Sequence, residues 1–82
     1  MIHEKLKALR ECVGLSQKEI ADFLEISQPM YSHMETGYRK IKSDKLEKLC
    51  NLYFITPLEL IETDKEELEE KVGKWFKGWI KK

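Results

Sequence analysis

Between residues 27 and 33 the chain sets a carboxamide, a proline, a hydroxyl and an imidazole close together: Gln28, Pro29, Ser32 and His33. Such groups suit recognition by hydrogen bonding better than they suit bond-breaking. A glutamine carboxamide can bond N7 and N6 of adenine at once, a serine hydroxyl serves either a base edge or the backbone, and a proline ring can touch a thymine methyl. His33, about one turn on, can donate to a guanine acceptor or to a phosphate. Enzymatic chemistry finds little support. His3 and His33 have no partnered nucleophile, Ser16, Ser27 and Ser32 read as caps and contacts, and no glycine-rich loop or metal-ligand spacing occurs, so no cofactor is expected.

The elements that must carry these residues are written in the capping signals around them. Ser16 is a good N-cap and Glu19, three residues on, completes a capping box, so a helix should begin near Gln17 with Ile20, Ala21 and Leu24 as its apolar stripe. Ser27 offers a second N-cap and Pro29 falls in the first turn of a second helix from about Gln28 to Glu35. Tyr31 and Met34 should face inward with Ile26. Gln28, Pro29, Ser32 and His33 form the opposite, acid-free face, and Gly37 closes the helix.

The rest of the chain also reads as helical. Ile2, Leu6, Leu9 and Val13 make one stripe that Gly14 ends. Ser43 is placed to cap a helix carrying Leu46, Leu49, Cys50 and Tyr53, and Thr56 with Pro57 starts a short one to which Leu58, Leu60 and Ile61 give apolar contacts. The segment between Gly37 and Ser43 is a loop anchored by Ile41.

With 15 basic and 15 acidic residues in 82 the net charge is zero, which alone argues poorly for a nucleic-acid partner. The charges are nevertheless segregated. Arg39, Lys40, Lys42, Lys45 and Lys48 follow the second helix of the pair with only Asp44 and Glu47 among them, whereas Asp64, Glu66, Glu67, Glu69 and Glu70 crowd the start of the tail. A basic patch can meet phosphate while the far side stays acidic. Cys12 and Cys50 are too few and too isolated for a metal site or disulfide framework, and Cys50 sits on an apolar stripe. No secretory signal opens the chain and no apolar run approaches ~20 residues, so a cytoplasmic protein without a membrane partner is expected.

The order SQKEIA, a turn, ISQ, then SHMETG resembles the lambda-repressor and Cro-like helix-turn-helix family, over about residues 6–61. The resemblance implies an all-α, five-helix domain over residues 1–62 that binds double-stranded DNA sequence-specifically as a transcriptional regulator, in the repressor sense, with residues 28–35 in the major groove. Gln17 matches the family's phosphate-contacting glutamine. Ser27 joins Gln28, Pro29, Ser32 and His33 on the DNA side, and Thr36, Tyr38, Arg39, Lys40 and Lys42 would grip the backbone beyond the recognition helix. In this family an arginine at the position of Arg10 commonly pairs with a glutamate at that of Glu35; a solvated arginine is the alternative. Glu25 and Phe54 stand where the family often has glycine.

Residues 63–82 lie beyond that resemblance and form an added amphipathic helix, with Leu68, Val72, Trp75, Phe76, Trp79 and Ile80 on one stripe. Three destinations are open: folding back on the domain, pairing with a second copy, or lying on a membrane surface. Pairing is the reading adopted, because proteins of this class usually bind two half-sites as two-fold dimers, here on a palindromic operator. The rival for the whole chain is a protein-interaction module, one that binds a toxin or another regulator with DNA contact secondary.

Overall fold

Capping residues decide where the helices begin. The computed structural model describes residues 2–80, with side chains to residue 76, and contains six helices: α1 (Ile2–Val13), α2 (Gln17–Leu24), α3 (Gln28–Glu35), α4 (Ser43–Tyr53), α5 (Pro57–Glu62) and α6 (Lys65–Ile80). Ser16 Oγ accepts from the Glu19 amide at 3.0 Å while the Ser16 amide donates to Glu19 Oε1 at 2.8 Å, and Thr56 and Glu59 repeat the same reciprocal pair at the start of α5. Ser27 Oγ accepts from the Met30 amide at 3.3 Å at the head of α3. Asp64, read in the sequence only as one of the tail's acids, does the same for α6 by accepting from the Glu67 amide at 2.9 Å. Ser43 does not cap α4 as expected. It is already the first helical residue, and Lys42, with no side-chain cap bond, holds the N-cap position.

These six elements close around one core. Leu6 and Leu9 of α1, Ile20, Ala21 and Leu24 of α2, Tyr31 and Met34 of α3, and Leu49, Cys50 and Tyr53 of α4 are all buried, together with Ile55 and Leu60. In α5 only Leu60 turns inward; Leu58 and Ile61, expected to pack, stay exposed because a single turn and a half can bury one face. The last turn of α5 is tied instead by Lys5 of α1, whose Nζ donates to the carbonyls of Leu60 and Ile61 at 2.9 and 3.0 Å.

The tail corrects the expectation of a single dimer seam. Leu68 and Val72 are buried in the chain's own core and Phe76 packs partly against it, because α6 lies along α1 and covers apolar surface that five helices leave open. Close approach is possible because Gly73 carries no side chain: a Cβ there would stand 3.2 Å from Cys12 Sγ. Of the proposed seam, Trp75 keeps substantial exposure, and Trp79 and Ile80 lie outside the residues whose side chains are described.

Two turns carry side chains in left-handed backbone. Glu25 ends α2 at φ 59° and Phe54 ends α4 at φ 57°, each at a cost of about 1 to 2 kcal/mol relative to glycine. Gly37, at φ 83°, is required twice over. Its conformation disfavours a side chain, and a Cβ would come within 2.8 Å of the His3 ring packed on it.

Candidate nucleic-acid interface

The short turn between α2 and α3 leaves the N-terminal end of α3 projecting from the domain. Gln28, Pro29 and His33 are exposed there, Ser32 is half-buried beside them, and Ser27 is exposed while its hydroxyl caps the helix. The four polar groups therefore share one outward face. His33 is steadied by Tyr38, whose ring centroid lies 5.0 Å away at 57°. Thr36 is exposed but inwardly occupied, its hydroxyl donating to the carbonyls of Ser32 and His33 at 3.1 and 3.2 Å.

Beyond α3 the chain folds back on itself through the Arg39 amide, which donates to the His33 carbonyl at 3.0 Å. Tyr38, Arg39, Lys40 and Lys42, all exposed, follow this turn, Tyr38 against His33 and the three cations around Met30 of α3. Lys45 and Lys48 are engaged elsewhere: Lys45 Nζ donates to the Leu24 carbonyl at 3.0 Å and Lys48 faces Glu25 at 3.8 Å. Sequence reasoning left Met30 unplaced. It emerges 38% exposed on the floor of a small depression of about 160 Å³ with Ile26, rimmed by Arg39, Lys40, Lys42 and Lys45.

One buried group ties this face to the rest of the molecule. Glu35, the last residue of α3, is 3% exposed, and Arg10 meets it with two parallel bonds: Nε to Oε2 at 2.7 Å and Nη2 to Oε1 at 2.9 Å. Arg10 Nη1 also donates to the Leu15 carbonyl at 2.8 Å, and Gln17 Nε2 donates to Glu35 Oε1 at 3.0 Å. Burial pushes the Glu35 carboxyl upward, but hydrogen bonds from Arg10 and Gln17 more than offset it and hold the group below the usual carboxylate range. The Arg10 guanidinium is raised in turn, chiefly by its bond to Glu35. Gln17, half-buried at the amino end of α2, thus directs one N–H inward.

A helix capped by serine, a tight turn, and a second capped helix offering its polar face, with a buried arginine–glutamate pair beneath, is the arrangement of a helix-turn-helix unit. Residues 6–60 match the family profile described as Helix-turn-helix. The chain belongs to the helix-turn-helix family. The fold is all-α and lambda-repressor-like, and the match runs from within α1 into α5, leaving all of α6 beyond it. The helix-turn-helix chain is 37% identical over 68 residues to the HTH-type transcriptional regulator ImmR of Bacillus subtilis (strain 168), covering 83% of this chain and 52% of that protein. It is also 34% identical over 64 residues to a glutamine–fructose-6-phosphate aminotransferase (isomerizing) of Methanocaldococcus jannaschii, covering 77% of this chain but 6% of that protein. The chain therefore spans about half the length of the first relative and a small part of the second. No solved structure matches it. Among the described residues no group of ligands is placed to hold a metal ion, and no helix is long and apolar enough to cross a membrane.

Proposed function

We propose that this helix-turn-helix protein is a sequence-specific, double-stranded-DNA-binding transcriptional regulator of the cytoplasm, a repressor that acts as a homodimer on a palindromic operator. The observation that carries the proposal is the exposed, acid-free face of α3 together with the exposed cations Arg39, Lys40 and Lys42 around Met30 of the same helix. α3 enters the major groove by its N-terminal end, where the Gln28 carboxamide donates its N–H to adenine N7 and accepts at its oxygen from N6, and Pro29 meets a thymine methyl. Ser32 and His33 reach the next base edges or the flanking phosphate. Ser27 and the open amides at the head of α3 favour an anion, as does the amino end of α2, where Gln17 donates its second N–H to a phosphate.

Thr36, Tyr38, Arg39, Lys40 and Lys42 hold the backbone and supply affinity without sequence preference. The name of the ImmR relative supports the regulatory part of this reading. Selection of sites by the 82-residue chain from random duplex DNA tests it. Enrichment of a palindrome whose half-sites lie about 34 Å, one helical turn, apart is expected. Failure to enrich any sequence would favour the protein-interaction module instead.

A further inference from the structure

Three aromatic side chains from three separate helices converge on surface that the reading face does not use. Phe23 of α2, Phe54 at the end of α4 and Trp75 of α6 are 44%, 63% and 41% exposed. With Asn51, Leu52 and Phe76 they line a groove of about 470 Å³. The Phe54 and Trp75 rings meet at 4.2 Å between centroids and 50° between planes, forming a ridge along one side of it. Phe54 presents its ring from left-handed backbone, where glycine would be relaxed. Strain that leaves an aromatic ring in water points to a use for the ring.

We propose that this groove is the contact with a second copy of the chain, the two grooves packing across a two-fold axis so that each Phe54–Trp75 ridge seats in the other's hollow. The proposal rests on reading the protein as a dimeric DNA-binding regulator and assigns the surface by which it dimerises. An interface between identical partners must be self-complementary, and this patch offers both a ridge and a hollow to meet that need. The area is also right for a weak dimer. An aromatic side chain buries on the order of 200 Å² when fully covered, so three that are about half open offer roughly 300 Å² per copy. Two copies then bury about 600 Å² of apolar surface, which at the ~65% apolar share of homodimer contacts implies nearly 1,000 Å² in all. That lies at the low end of specific interfaces, where association is concentration-dependent. A foreign helix could cover the same rings, but it would bring only one of the two ridges and about half the apolar area.

Sedimentation of the 82-residue chain over roughly a hundredfold range of micromolar concentrations tests the contact. The wild type should pass from monomer to dimer across that range. Phe54→Gly should remain monomeric throughout while its thermal midpoint is unchanged or raised, since glycine suits the turn. Phe23→Lys, which places a charge in the hollow from an exposed position of α2, should be monomeric as well. A wild type that stays monomeric overturns the proposal, and so does a Phe54→Gly protein that dimerises as the wild type does. DNA separates this inference from the one beneath it. Phe54→Gly should bind a single half-site as the wild type does and lose the preference for two. If the wild type dimerises, Phe54→Gly does not, and neither binds DNA, the contact stands and the DNA reading falls.

Discussion

Both carboxylate oxygens of Glu35 face Arg10 across the interior, so the end of the recognition helix is fastened to the first helix by a bidentate ion pair almost wholly out of water. Such a pair contributes little net stability when intact, yet removing one member strands a charge. Glu35→Ala should therefore destabilise the fold by about 3 to 5 kcal/mol in denaturant unfolding, against less than about 0.5 for the exposed Glu11→Ala. Equal losses from the two variants would refute the role assigned to the pair.

Acid should find the same weak point. Folding holds the Glu35 carboxyl below its ordinary value near 4.5, so in acid the unfolded chain binds the extra proton and stability falls with falling pH. The contribution of Glu35 is complete above about pH 4.5 and disappears as the pH drops through the lower, folded value. Glu59 is shifted in the same direction, by Lys71 and by the Thr56 backbone, but it lies at the surface and is common to any pair of variants that differ at position 35. Thermal midpoints of wild type and Glu35→Gln between about pH 6 and 3 should converge as the pH falls, because the wild type alone has this carboxylate to lose. Parallel curves would show that the pair does not titrate with folding.

The parts of this molecule that were legible in sequence are those decided within four residues. Ser16 with Glu19, Ser27 with Pro29, and Thr56 with Pro57 each set a helix start through contacts of short sequence range, and all three helices begin where those residues place them. The stripe Leu68, Val72, Trp75, Phe76 was equally plain as a pattern. Its destination was not, since periodicity identifies an apolar face without naming what covers it, and that depends on α1, over fifty residues away. Leu58 and Ile61 misled for a related reason: helical spacing cannot tell which apolar residues of a six-residue helix win the one inward face. On the candidate site, the outward face of α3 followed from the caps alone. Lys45 did not, because its engagement with the Leu24 carbonyl joins elements 21 residues apart.

Replacing Glu25 by glycine should stabilise the protein. The backbone there is left-handed, and the side chain, 81% exposed, meets Lys48 only at 3.8 Å. An exposed pair of that geometry contributes between nothing and ~1 kcal/mol, less than the strain that glycine relieves less its own chain entropy. A gain of up to about 1 kcal/mol is expected in denaturant unfolding. A clear loss would mean that Glu25 does more in this turn than face Lys48.

Gln28 and Lys40 should separate on DNA. Gln28→Ala should lose about 1 to 3 kcal/mol of affinity for the selected site and little for random duplex, whereas Lys40→Ala should weaken both and lower the salt slope by about one. Binding titrations at several salt concentrations measure both effects. Identical behaviour of the two variants would remove the division between base reading and backbone grip.

The packing of α1 on α6 also governs when this chain can fold. Lys5 and Cys12 find their partners 55 to 57 residues downstream, at Leu60 and Glu69, so α1 has its broadest contact with a helix synthesised well after it. Long-range closure of this kind slows folding relative to helical domains assembled from neighbours. The helix-turn-helix segment can form its caps and its turn in the meantime. Until α6 arrives, though, α1 has only part of its apolar stripe covered, and the nascent reading head rests on an unfinished foundation.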